Sequence, residues 1–326
     1  MVGNPYLDQF LMFYSQSEAG NGLTRGLDSE IAKRTYVQTK LDTDLLPDIL
    51  AKKYRVVILT GNAGDGKTAF IQKVEDAAKA QGATLTAIDS LGHTFTFQGR
   101  DFRTLYDGSV DSDGKSNHDI LVEFFRDFAG DSKPEPDVCL LLAMNEGKLR
   151  DFLLKATGHR WLCQTFIDHL NGKSVLPADM VLVNLNLRAL VDAKTEITNS
   201  IFDKLLDRYV AEEFWTPCEQ CDCRHRCPVK FNVDTFRIRP IDGLDDGEKK
   251  QAEERNAVAN AARISVKSLF QILHFRKRLH ITVRDLRSVL AFALFGKRTC
   301  AQIRTAIESG TADFTTSYYY NALFDS

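Results

Sequence analysis

The chain has 326 residues, more than one ordinary domain needs, so two units or one core with additions is the starting expectation. Hydrophobic residues make up 44% and charged residues 26%, which suits a globular chain and excludes a disordered one. A net charge of −2 excludes a global pull toward nucleic acid or anionic lipid, so such binding would need a local patch.

The opening residues, MVGNPYLDQFLMFY, carry no basic segment and no small-residue cleavage site, and so do not read as a signal peptide. Apolar stretches such as 289–295 are too short to span a bilayer. A cytoplasmic location without membrane contact is therefore expected. Residues 1–50 read as a helical segment, with Tyr6, Phe10, Leu11 and Phe13 on one apolar face and Leu41, Leu45, Leu46 and Ile49 on another. The β-branched run 55–60 predicts a buried strand, and 68–80 switches to helical period.

Residues 84–89 predict a second strand, and 91–117, rich in Gly, Asp and Ser, read as an irregular insertion. A helix is expected over 118–128, a third strand over 138–144, a helix from Gly147, a fourth strand over 180–185 and a helix over 198–210. A cysteine cluster follows, then a charged stretch over 242–256 that reads as a loop or solvated helix start. Helix alone is expected from Val258 onward. The implied division is a helical segment at 1–50, an α/β core at 51–212, a cysteine-rich insertion at 213–257 and a helical lid at 258–326. Strands alternating with helices point to a parallel sheet.

Gly61-Asn62-Ala63-Gly64-Asp65-Gly66-Lys67-Thr68 matches G-x-x-x-x-G-K-[ST] in full, between an apolar strand and an amphipathic helix. The glycines let backbone N–H groups turn inward on phosphates, and the helix points its positive end at the same anion. Lys67 would reach the outer phosphates of ATP and the Thr68 hydroxyl would ligate Mg²⁺. ATP rather than GTP follows from the lack of a guanine-reading N-K-x-D string.

The apolar run 139–144 is followed by Asn145-Glu146, where a phosphate-loop ATPase needs an acid. Glu146 is placed to polarise water, and Asn145 stands where a metal-binding Asp is usual. Asp89, at the end of the second strand, is the reserve acid for Mg²⁺. Asn184, and after it Asn186, at the tip of the fourth strand could hold the water or the γ-phosphate; a turn-forming Asn fits equally well. Thr282 reads as a helix N-cap with Asp285 in the first turn, which puts Arg284 at the start of that helix as a γ-phosphate sensor.

The order of phosphate loop, acid-tipped strand, Asn-tipped strand and helical lid with an early Arg resembles AAA+-type ATPases over roughly residues 45–295. By that resemblance Asn184 takes the sensor-1 position and Arg284 the sensor-2 position. Asn145 departs from the pattern, and Arg188 and Arg208 are the candidates for an arginine finger. The strings ILTGNAGDGKT, LLLAMNEGKL, CPVKFN and LHITVRDLRSVLAF also look like the ATPase component of bacterial phosphorothioation-dependent DNA restriction, the DptF-type family. That likeness implies an ATPase acting with protein partners in anti-phage defence, with DNA engaged directly or through those partners, and is compatible with an oligomer. The alternative is a nucleotide-dependent switch with little hydrolysis, which Asn145 favours.

Four of the seven cysteines lie in Cys218-x-x-Cys221-x-Cys223-x-His225-x-Cys227. In a cytosolic chain this reads as a structural Zn²⁺ knuckle, with Cys218, Cys221 and Cys227 as three ligands and Cys223 or His225 as the fourth. Its role would be to pin the insertion, or to present a surface to a partner. Residues 274–287 carry His274, Arg276, Lys277, Arg278, His280, Arg284 and Arg287, which could meet nucleic-acid phosphates or form a solvated helix face. The ending TSYYYNALFDS is apolar, which suggests a docking segment or continuation into a longer polypeptide.

Overall fold

The computed structural model describes residues 3–14, 26–88, 91–112, 114–192, 199–276 and 279–324. It divides into two compact units, residues 38–188 and residues 1–37 with 189–326. The unit boundaries thus fall at 37/38 and 188/189, whereas the sequence placed them near 50 and 212. Short-range periodicity cannot show that the N-terminal aromatics pack far downstream, and that packing draws the line.

The unit 38–188 is built on a six-stranded sheet of order β2-β3-β4-β5-β1-β6. The strands are β1 (Val56–Thr60), β2 (Thr86–Ile88), β3 (Gly92–Phe97), β4 (Arg100–Leu105), β5 (Val138–Met144) and β6 (Met180–Asn184). β4, β5, β1 and β6 run parallel, while β2, β3 and β4 pair antiparallel. The sheet is therefore mostly, not wholly, parallel.

Strand alternation divides the apolar runs between two faces. Val56, Ile58, Leu140, Leu142 and Met144 pack with the helices Asn117–Phe124, Glu146–Lys155 and Arg160–Leu170. Val57, Leu59, Cys139, Leu141 and Ala143 pack with Phe70, Ile71 and Val74 of the helix Lys67–Ala80. All of β1 and β5 is buried, as expected of strands covered on both sides.

The region 91–117 is not an irregular insertion. It contributes the β3–β4 hairpin, and β4 lies inside the sheet against β5. Its polar residues misled the reading because their partners are distant in sequence. Arg103 donates to the Phe124 carbonyl at 3.0 Å and pairs with Asp127, and Thr104 donates to buried Glu75 at 2.6 Å. Buried polar groups are tolerated when so matched.

The second unit is helical. Its core joins Phe10, Tyr209, Phe214, Trp215 and Phe295, with Phe10 stacked on Trp215 at 5.7 Å and tilted against Phe295 at 4.6 Å. Trp215 Nε1 donates to the Tyr209 carbonyl at 2.9 Å, so burying the indole leaves its donor satisfied. The helix Asp246–Gln271 starts inside the charged stretch, under an Asp245–Glu248 capping box. Thr282 and Asp285 form the expected cap on Val283–Phe295. The apolar ending folds back on its own unit, with Tyr319 4.7 Å from Phe236 and its N–H on Asn232 Oδ1 at 3.0 Å. Among the described residues no helix is long and apolar enough to cross a membrane.

Candidate functional site

The parallel strands bring their C-terminal tips to one edge of the sheet, in register. Thr60 pairs with Met144 on one side and Asn184 on the other, and Leu105 pairs with Leu142. The residues just past those tips are Gly61, Asn145, Leu185 and, after Tyr106, Asp107. In open α/β sheets this edge, where neighbouring strands leave in opposite directions, is where ligands bind.

Gly61–Gly66 connects β1 to the helix Lys67–Ala80. Gly64 and Gly66 have φ of 98° and 90°, in the region where a side chain is strained. Gly66 caps the helix without any side-chain bond, so no side chain at the cap competes for the first-turn N–H groups. Buried Asp65 braces the loop from within by accepting from Asn62 N–H at 2.6 Å. Lys67 Nζ donates to the Gly61 and Asn62 carbonyls at 2.9 and 2.8 Å, folded over the loop it belongs to.

Two elements hold the loop from the β6 side. Asn186 Oδ1 accepts from Asn62 N–H at 3.1 Å, and Arg188 donates to the Asp65 carbonyl at 2.6 Å. Arg188 therefore stands at the loop of its own chain. Asn184, the first-choice polar tip, donates to Glu146 Oε2 at 2.7 Å and accepts from Asn186 N–H at 3.0 Å. Arg150 pairs with the other Glu146 oxygen at 3.3 Å. Asn145 caps the helix Glu146–Lys155, its Oδ1 accepting from Gly147 and Lys148 N–H at 2.8 and 3.4 Å.

The sequence reading overlooked one acid. Thr68 Oγ1 donates to the Tyr106 carbonyl at 3.1 Å, which sets Asp107 next in chain to the Thr68 contact. The Asp107 turn is tied to the β5 tip, with Gly108 N–H on the Ala143 carbonyl at 2.9 Å and Asn145 N–H on Ser109 Oγ at 2.8 Å. Its signal was an Asp ending the run Phe102-Arg103-Thr104-Leu105-Tyr106, hidden by two polar residues in a buried strand.

Arg284 and Arg208 belong to the helical unit, and Arg284 is exposed at the start of its helix. In the basic stretch, Arg287 is engaged internally, 4.0 Å over the Phe13 ring and donating to Thr35 Oγ1 at 3.2 Å. Asp89, Lys277 and Arg278 lie outside the described residues.

The cysteine segment consists of two short 3₁₀ turns leading into the helix Pro228–Phe236. Cys221 N–H bonds the Cys218 carbonyl at 3.2 Å, closing the C-x-x-C turn. His225 is exposed, and its Nε2 accepts from Arg224 at 3.0 Å. As the side chains stand, no group of three or more His, Cys, Asp or Glu among the described residues is arranged to hold a metal ion. No protein-family model, curated protein or solved structure matches the chain.

Proposed function

We propose that residues 38–188 bind ATP with Mg²⁺ and hydrolyse it, and that the chain serves as the ATPase component of a bacterial DNA restriction complex active in anti-phage defence. The observation that carries the nucleotide reading is the strand, G-x-x-x-x-G-K-T loop and helix at the sheet's C-terminal edge, with Thr68 bonded to the residue before Asp107. The defence assignment rests on the resemblance of the four sequence strings.

Loop N–H groups and the helix N-terminus would cradle the β- and γ-phosphates. Lys67 would exchange its two loop carbonyls for phosphate oxygens. The Thr68 hydroxyl and Asp107 carboxylate are hard oxygen donors suited to Mg²⁺, which when bound neutralises phosphate charge. Asp107 thus takes the place of the acid that Asn145 lacks, and Asn145 keeps its cap. Glu146, once turned from Asn184, would accept a proton from the attacking water.

One observation favours the switch alternative. Both oxygens of Glu146 are engaged, one by Asn184 and one by Arg150, so the base must be freed before it can act. Turnover by purified wild type, Lys67→Ala, Asp107→Asn and Glu146→Gln, with and without duplex DNA, tests both readings. Hydrolysis in wild type that all three variants lose supports the ATPase. Lys67-dependent ATP binding without turnover in any condition supports the switch. ATP binding that ignores Lys67→Ala would falsify the nucleotide site.

A further inference from the structure

The knuckle was expected to draw its fourth ligand from its own segment, from Cys223 or His225. The fold brings a different thiol to it. Cys300 opens the helix Cys300–Glu308, far downstream in the chain, and packs with Cys218 and Cys227 against the same aromatic core. Asn4 bridges the two ends. Its backbone N–H lies 3.3 Å from Cys300 Sγ, and its Nδ2 lies 3.3 Å from Cys218 Sγ. Gly3 is pressed so closely on Cys300 that an added Cβ would lie 2.4 Å from the Cys300 Cβ. Arg304, one turn beyond Cys300, points a guanidinium N–H at Cys221 Sγ at 3.9 Å. The N–H groups of Val229 and Lys230 lean on the Cys227 thiol at the start of its helix.

From this convergence we infer that Cys218, Cys221, Cys227 and Cys300 form a four-thiolate site for a soft metal centre, with Cys223 and His225 outside it. Each of the four sulfurs has an N–H donor aimed at it, as a metal-bound thiolate requires of its surroundings. Cys218 lies within electrostatic reach of Cys300 and Cys221, Cys227 of Cys218 and Cys300, and Cys300 of Cys221. Cys223 feels Cys221 alone among the cysteines. Four sulfurs gathered in one half-buried place are the donor set that a soft cation needs, and a metal binding there would release their protons. His225 has its Nε2 lone pair on Arg224, which removes it from competition.

Thiolate-only coordination suits Zn²⁺ or an iron–sulfur cluster. The site would tie the N-terminal segment, the knuckle and the helix Cys300–Glu308 into one body, whatever the fate of the nucleotide reading.

The test is elemental analysis and acid-labile sulfide on the full chain purified without oxygen, as wild type, Cys300→Ser and Cys223→Ser. In parallel, wild type is alkylated under native conditions with and without chelator, and each cysteine is read by mass spectrometry. Wild type should carry a stoichiometric centre, Cys223→Ser should keep it, and Cys300→Ser should lose it. Cys218, Cys221, Cys227 and Cys300 should resist alkylation until chelator is added, while Cys223 reacts at once. Zinc alone identifies a single-ion site, and iron with labile sulfide a cluster. Should Cys300→Ser fail to fold, the wild-type protection pattern decides. Metal retained in soluble Cys300→Ser but lost in Cys223→Ser overturns the assignment, as does metal-free wild type with all five thiols equally reactive.

Discussion

The two units solve the burial of polar chemistry in opposite ways. In the sheet unit, candidate chemistry comes from one edge of one sheet, where consecutive strand tips place Gly61, Asp107, Asn145 and Asn184 in register. Strand pairing sets the tips beside one another, and the Gly108 and Ser109 bonds fix the Asp107 turn there. In the helical unit, the buried polar groups considered next meet because distant helices pack. Lys267, 1% exposed, is matched by Asp203 at 3.1 Å and Asp192 at 2.9 Å, and the thiols join residues from both ends of the chain. The first unit depends on register and the second on a shared aromatic core.

The hardest way to break this contrast is to remove the core that the helical unit shares. Trp215→Ala should cost about 3–5 kcal/mol of that unit's stability. Thermal denaturation should show its transition lowered while Lys67-dependent nucleotide binding by the sheet unit persists. Loss of both together would mean that the two units are one cooperative body. Next comes Asp107→Asn, which should lower turnover by about 10²-fold with stability nearly unchanged. Turnover kept in that variant would return the metal role to another acid.

Asn145→Ala separates a cap from a catalytic residue. As a cap it should cost about 1 kcal/mol of stability, read by chemical denaturation, with little change in turnover. The smallest effect concerns acid. Burial, with the charge of His118 beside it, lowers the His159 imidazole below its ordinary value. The unfolded chain therefore binds more protons in the window from that lowered value up to about 6.5. Stability should be fully present above this window and decline as pH falls through it, and His159→Leu should flatten that slope.

The sheet edge was the more legible of the two from sequence, for reasons visible in particular residues. GNAGDGKT and the run into Met144 are contiguous, so side-chain type alone identifies a turn and a buried strand. β4 was missed because Arg103 and Thr104 sit inside the sheet, satisfied by Asp127, the Phe124 carbonyl and Glu75. Hydropathy sees two polar residues and cannot see their partners. Asp107 was lost with its strand. Cys300 was not legible beside the knuckle, because sequence spacing cannot show which helix end arrives there. The makeup of the helical unit was hidden likewise, since Phe10 and Phe13 find Tyr209, Trp215 and Phe295 only in three dimensions.

The interrupted make-up of the helical unit also sets a schedule for synthesis. Residues 38–188 are continuous and can fold as soon as they emerge, but Phe10 and Phe13 belong to a unit whose remainder is translated afterward. At ribosomal rates, roughly 200 residues separate Phe10 from Tyr209, its first ring partner beyond the sheet unit, a wait of about 10–40 s. Throughout that interval the nascent chain carries a finished globule and, ahead of it, an aromatic segment whose partners are still untranslated. Such a chain invites a chaperone to hold that segment, and slowing translation should lengthen that dependence.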